Sequence, residues 1–335
     1  MQVLCLAGLA LFAFSAPQAP PDRWVDPSPH RSDSVVVNGV TLHFLDWGGT
    51  GEPLLLLAGL FGSAHGFDGL APQLIDDFRV LALMRRGHGR SSRPASGYSL
   101  ATLVDDIHDL LDLLKLERVH LAGVSAGGVE AALFAARYPD RVASVVYLDS
   151  AYDHSPAFEQ KWAPRLAANP VKRSKLPFPH ARASFAAFRD WHVKEIGPWS
   201  PAVEADNRQV YLAPDGSVNP LPMPLTIAQE VIASGMAAPP DYSAVKTPAL
   251  AIFAIPTRAD VPDDADEELR RRAQEFMNEV LIPMQREQID ALRKSGANVT
   301  IVELTGTTHM RFMADKQREI ARAIKSFAIV RRPKL

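Results

Sequence analysis

The alternation of short, continuous apolar runs with stretches of helical period constrains this chain most. The runs PLLLLAG (53–59), FRVLALM (78–84), RVHLAGV (118–124), RVASVVYLD (141–149), PALAIFAI (248–255) and NVTIVEL (298–304) are separated by helix-period segments, among them 66–76, 99–116, 126–138 and 314–328. A strand that reads as an unbroken apolar run is buried on both faces, and such strands joined through helices make a parallel sheet covered on both sides. Ser34–Val37 and Val40–Asp46 flank Asn38-Gly39, a hairpin signal, and predict an antiparallel edge. The expected class is therefore α/β, with a mostly parallel sheet flanked by helices. Ser99 is placed to cap the 99–116 helix, with Asp105, Asp106 and Asp109 on its polar face.

Three stretches stand outside this alternation. Residues 152–246 hold no convincing strand but many prolines and the aromatics Trp162, Phe178, Phe185, Phe188, Trp191, Trp199 and Tyr211, which predicts a helical lid over the carboxyl edge of the sheet. Residues 263–296 predict a long charged helix or helix pair, with Leu269, Phe276, Val280, Leu281, Ile289 and Leu292 for one face and its charges solvated. At the amino end Val3 to Phe14 is apolar, yet short of the about 20 residues that a membrane span needs. Small residues follow it, as in a secretory signal peptide cleaved near Ala16 or Ala19. The expected order is a signal peptide (1–19), a Pro- and Ser-rich linker (20–33), a first core part (34–151), the lid (152–246) and a second core part (247–335). Such a chain is secreted or periplasmic, with no stable membrane span.

Composition removes several function classes. Lys+Arg 36 against Asp+Glu 38 leaves a formal charge of −2 and no basic footprint for nucleic acid. Cys5 is the one cysteine, so a disulfide framework, a Cys-ligated metal and a catalytic thiol inside the fold are excluded. There is no HExxH and no Asp-rich calcium loop, and Gly49-Thr50-Gly51 lacks the Lys-Ser/Thr of a phosphate loop. No cofactor is expected.

The segment VHLAGVSAGGVEAALFAARYP (119–139) sets Gly123-Val124-Ser125-Ala126-Gly127 between a strand and a helix. This is the G-x-S-x-G nucleophile elbow in the context it requires. The turn is so sharp that the serine takes a strained backbone and both flanking glycines need minimal side chains. Ser125 is lifted above the sheet at a helix start, where the Ala126 N–H and the helix dipole face a developing oxyanion.

Over roughly 34–330 the chain resembles a capped, esterase-like α/β-hydrolase. The resemblance rests on LLLLAGLFGS after the third strand, RRGHGRSS (85–92), the elbow, the YLDS strand end and a late histidine in ELTGTTHMRFM. It implies that His309 is the general base and that Leu60 supplies an oxyanion N–H. The family's His-Gly after the third strand is here Ala58-Gly59, and Met84-Arg85 stands where a carboxylate often precedes the Arg-Gly segment. The acid has two candidates. Asp149 closes the strand before the lid, whereas Asp260 follows the strand after it, two or three residues later than usual. Of the other histidines, His65 follows the oxyanion loop as a candidate pocket residue, and His88 is expected to be structural.

The resemblance implies attack by Ser125 on the acyl carbon of a partly apolar small-molecule ester, with His309 as base and Asp149, or alternatively Asp260, orienting it. Leu60 and Ala126 would hold the oxyanion. Lactones, amides and activated thioesters fit the same machinery, and a non-catalytic binder would keep the fold without the chemistry. Ser125 excludes a dehalogenase or epoxide hydrolase, which needs a carboxylate at that position.

Overall fold

The computed structural model describes residues 24–171, 179–213, 215–219, 221–262 and 264–329. The expected signal peptide, the start of the linker, Cys5 and Phe178 lie outside the described residues. Among the described residues eight strands form one sheet in the order β1-β2-β4-β3-β5-β6-β7-β8. They are β1 (Arg31–Val37), β2 (Val40–Gly48), β3 (Glu52–Leu57), β4 (Phe78–Met84), β5 (Val119–Val124), β6 (Val142–Leu148), β7 (Ala249–Ile255) and β8 (Val299–Thr305). β1 pairs antiparallel with β2, and β2 with β4. From β4 through β3, β5, β6 and β7 to β8 all pairing is parallel. Asn38 and Gly39 both take positive φ in the β1–β2 turn, as the hairpin signal requires.

The apolar runs work because successive side chains alternate between two faces. Leu55, Leu57, Leu81, Leu83, Ala251 and Phe253 face one core, where the helices α1 (Leu100–Leu113) and α2 (Ala126–Arg137) pack. Leu54, Leu56, Val80, Ala82, Leu250 and Ile252 face the other, covered from the chain's far end by Ile320, Ile324 and Phe327. Each leucine of Leu54–Leu57 is buried to 1% or less, worth about 1.5–3 kcal/mol apiece against an exposed side chain. This double burial fixes the sheet and its carboxyl edge, where β3, β5, β6, β7 and β8 all end.

Between β6 and β7 the chain forms α3 (Pro156–Ala167), α4 (Phe185–Glu195), α5 (Pro201–Tyr211) and α6 (Leu225–Ala237). Phe188 and Trp191 centre a small core of their own with Ala181 and Val218. α6 instead packs Ile227, Ala228 and Val231 against Leu100 and Leu103 of α1. The charged stretch after β7 is one continuous run, α7 (Glu267–Phe276), a π turn (Met277–Leu281) and α8 (Ile282–Lys294). The chain closes with a short α9 (Phe312–Asp315) and α10 (Gln317–Ile329).

The structure departs from the sequence expectations at three places. Residues 66–76 are not one α-helix but two 3-10 turns, Ala64–Phe67 and Ala71–Gln73. Gly66, Gly69 and Pro72 break the ladder, while Ala64, Phe67, Leu70, Ala71 and Leu74 still bury their side chains. Asp106 leaves the polar face of α1, which Ser99 caps as expected. Its carboxylate accepts from Arg86 Nε and Nη2, both at 2.6 Å, and from Asn38 Nδ2 at 3.0 Å. Finally, residues 31–33 of the expected linker are strand, and His30 packs its ring edge-on against Trp47.

Candidate active site

Ser125 stands between β5 and α2 with φ +50° and ψ −118°, a strained backbone for a residue with a side chain. Its N–H donates to the Leu148 carbonyl at 3.2 Å, and its carbonyl accepts from the Gly128 N–H at 2.9 Å and the Ser150 hydroxyl at 2.9 Å. A Cβ on Gly123 would lie 2.2 Å from the Gly127 backbone, and one on Gly127 would lie 2.3 Å from the Leu57 carbonyl oxygen. Both glycines are therefore demanded by packing, and the start of α2 is pressed against the end of β3. The same closeness brings Gly59 alongside Ser125, whose Cβ would lie 3.7 Å from a Cβ on that glycine.

Asp149 directly follows β6, buried to 1% and also at positive φ (+46°). Its N–H donates to the Ile252 carbonyl at 2.8 Å. Carboxylate oxygen Oδ1 accepts from the Ala254 N–H at 2.8 Å and from the Tyr152 hydroxyl at 2.7 Å. Oδ2 lies 2.6 Å from His309 Nδ1. With Asp149 as acceptor, Nδ1 carries the ring proton and Nε2 is left for another partner. The loop after β8 leaves the His309 side chain 44% exposed. Asp260, the alternative acid, also lines the cleft around these residues and reaches into a smaller polar cavity beside it. The Nδ1 contact, however, is made by Asp149. Burial and the Asp149 charge push the Tyr152 phenol far above its ordinary pKa, so it remains a donor at every working pH.

The Ala58–Leu60 loop is held by groups the sequence showed but whose use it did not. Arg85 donates to the Gly59 carbonyl at 3.0 Å and to the Ala58 carbonyl, and its Nε lies 2.7 Å from Glu130 of α2. Burial raises the Glu130 carboxyl and the Arg85 charge opposes it. His88 sets Nε2 against the Leu60 carbonyl and Nδ1 3.2 Å from the Arg86 carbonyl, so whichever nitrogen carries the proton donates to backbone. Burial and Arg85 hold this imidazole neutral, its pKa pulled down to about 3. His88 is thus structural, as the sequence suggested. Past the loop, Asp206 of α5 accepts from both the Ser63 N–H (2.8 Å) and hydroxyl (2.7 Å), tying the inserted helices to the turn that follows.

Ser125, Ala126, Leu60, Asp149 and His309 all line one cleft of about 810 Å³. Val129, Phe158, Trp162, Phe276 and Met284 give it a largely apolar wall. His154, expected only as part of the lid, lines it as well. His65 does not belong to this lining and instead lies 3.0 Å from Asp68. Burial and the position of these side chains at strand ends follow the general rule that α/β sheets hold ligands beyond their carboxyl edge.

A family model described as alpha/beta hydrolase fold matches residues 52–190. The chain adopts the α/β-hydrolase fold. Over 228 residues it is 29% identical to the 2-(acetamidomethylene)succinate hydrolase of Mesorhizobium japonicum, which spans 66% of this chain and 76% of the relative. It is 37% identical over 107 residues to a serine hydrolase-like protein of Homo sapiens, covering 31% of this chain and 53% of that one. Among solved structures, E-2-(acetamidomethylene)succinate hydrolase superposes with a TM-score of 0.61 at 22% identity, over 90% of this chain and 99% of its own. The enol-lactonase of Burkholderia xenovorans does so with a TM-score of 0.55 at 21% identity, over 89% and 100%. At these identities the structural likenesses speak for the α/β-hydrolase fold. Among the described residues no helix is long and apolar enough to cross a membrane.

Proposed function

We propose that the chain is a serine hydrolase that cleaves a carboxylic ester through an acyl-enzyme. One juxtaposition supports this most: His309 Nδ1 is 2.6 Å from a buried Asp149, in the same cleft as a serine at φ +50°. In this reading Ser125 Oγ attacks the acyl carbon and passes its proton to His309 Nε2. Asp149 holds the Nδ1–H tautomer and stabilises the imidazolium that forms. The N–H groups of Leu60 and Ala126 receive the oxyanion, the imidazolium protonates the leaving alcohol, and water then releases the acid by the same path reversed. The apolar wall favours an acyl or aryl group that is partly apolar, and the helices between β6 and β7 act as the lid over it.

The relative named for hydrolysis of 2-(acetamidomethylene)succinate favours a second reading, an amide on the same residues. The test is a panel of p-nitrophenyl esters of graded length with a lactone and an amide beside them, together with fluorophosphonate labelling. Wild type should be labelled and Ser125→Ala should lose both label and turnover while melting normally. Equal labelling of the two proteins removes the serine, and no turnover on any of the panel leaves a binding protein. We further propose that the chain is exported: the secreted or periplasmic product should begin after Ala16 or Ala19, and a product that still begins at Met1 argues against it.

A further inference from the structure

Away from the cleft, four side chains from two parts of the chain converge. Asp26 and His30 come from the segment before β1, and His65 and Asp68 from the first 3-10 turn after the oxyanion loop. His30 Nε2 is 3.1 Å from Asp26 Oδ2 and 3.7 Å from Asp68 Oδ1. His65 Nδ1 is 3.2 Å from Asp26 Oδ2 and 3.0 Å from Asp68 Oδ2. One ligand atom from each of the four residues fits within 4.8 Å of all the others. We infer that Asp26, His30, His65 and Asp68 form a binding site for a divalent transition-metal ion, with zinc the best match.

Three observations carry this. The first is size. Zinc takes nitrogen at about 2.0–2.1 Å and carboxylate oxygen at about 2.0–2.2 Å in a tetrahedron, so neighbouring ligand atoms stand roughly 3.3–3.5 Å apart on bonds of that length. The two imidazole nitrogens stand 3.1 and 3.2 Å from Asp26 Oδ2, and each also meets an Asp68 oxygen, His65 Nδ1 at 3.0 Å from Oδ2 and His30 Nε2 at 3.7 Å from Oδ1, so small movements bring one atom from each residue to that edge. The second is an orphaned atom. The Asp68 side chain is 4% exposed, yet among the described residues its Oδ1 has no hydrogen-bond partner. It faces His30 Nε2 at 3.7 Å, too far for a hydrogen bond. A buried carboxylate oxygen left without a donor is costly, and a cation among these four groups supplies what it lacks. The third is the donor set. Two imidazoles and two carboxylates suit zinc and its neighbours, whereas calcium takes six to eight oxygens and magnesium a near-ideal octahedron. Two carboxylates and two neutral imidazoles also balance a divalent charge.

Such a site has a structural consequence. It clips residues 26–30 to the turn that begins at Ser63, three residues beyond Leu60, and Ser63 is itself held by Asp206. Metal binding would stabilise that corner of the fold, and the reaction needs no step through it.

The test uses the full chain without an affinity tag, stripped by chelator and titrated calorimetrically with zinc, then with Co²⁺ for its visible spectrum. One saturable equivalent is expected, with tetrahedral-type Co²⁺ absorption and a melting temperature raised by a few degrees. His30→Gln and Asp68→Asn should each weaken zinc binding at least tenfold. If Asp68→Asn does not fold, Asp26→Asn on the irregular amino-terminal segment takes its place. His108→Gln controls for the second grouping, His108, Asp109 and Asp112 on the face of α1, and should leave the tight equivalent intact. Absence of a saturable equivalent overturns the proposal. So does an equivalent that survives His30→Gln and disappears in His108→Gln.

Discussion

The Tyr152 hydroxyl donates to Asp149 Oδ1 at 2.7 Å, on the carboxylate oxygen opposite the one that meets His309. The phenol therefore helps fix the plane of the carboxylate that aims the imidazole. A hydrogen bond to a charged group contributes about 1.5–3 kcal/mol. Tyr152→Phe should lower kcat about tenfold, equivalent to roughly 1.4 kcal/mol of barrier, with KM little changed. Kinetics on the best p-nitrophenyl ester check this, and an unaltered kcat in the folded variant would show that Asp149 needs no such support.

The two carboxylates separate by substitution. Asp149→Asn keeps the shape but presents an amide to His309 Nδ1 and favours the wrong tautomer, a cost on the order of 10⁴ in turnover. Asp260→Asn should stay within about tenfold, or roughly 1.4 kcal/mol. Asp149 also anchors the Ala254 N–H, so thermal melts must accompany the rates. Normal turnover in Asp149→Asn beside a dead Asp260→Asn would reverse the assignment.

The sheet and the elbow were legible because their signals are local. An apolar run such as Leu54–Leu57 dictates double-sided burial, and Gly123-x-Ser125-x-Gly127 dictates a turn that other side chains would clash with. The contacts that span the chain were not legible. Tyr152 is an ordinary tyrosine until β7 brings Ala254 alongside Asp149. Arg85 looked like a departure from the usual loop sequence, and Glu130, buried on α2, together with the Ala58 and Gly59 carbonyls explains it. Asp106 fitted an amphipathic pattern that could not foresee Arg86 folding back onto it. Residues 66–76 carried apolar positions three apart, which suit a 3-10 turn as well as an α-helix, and their two glycines and proline were the sign to follow.

Acid should destabilise the fold through histidines kept neutral by burial. His88 is held down to about 3 by burial and Arg85, and His192 to about 4 by burial among aromatic rings. Their unfolded values lie near 6.5. Their contribution is present above pH 6.5 and is lost as pH falls toward the folded values, because the unfolded chain binds protons that the native one refuses. The slope is at most about 1.4 kcal/mol per pH unit for each group. Glu130 and Asp206, both raised by burial, act in the opposite sense, so the informative quantity is a difference between proteins. His192→Phe keeps a ring against Phe188 and Trp199 and should flatten the fall in melting temperature between pH 7 and 5. Parallel curves for the two proteins would contradict a half-buried His192 held neutral.

Arg85 combines two roles that a pair of variants can divide. It compensates Glu130, which is 1% exposed, and it donates to the Ala58 and Gly59 carbonyls. Arg85→Met should cost about 3–5 kcal/mol of stability, since it strands a buried carboxylate. Replacing both partners, Arg85→Met with Glu130→Met, should recover most of that loss, because an apolar pair of similar volume needs no compensation. Activity should not recover with it. The carbonyls of Ala58 and Gly59 would still lack their donor, and the Leu60 N–H would no longer be held where the proposed mechanism places the oxyanion. Loss of one such donor costs about 10²–10³ in kcat, so a loosened one should cost at least about tenfold. Denaturant melts and kcat on the same preparations decide the matter. A double variant restored in both stability and rate would mean that Arg85 serves only Glu130 and that the loop holds itself.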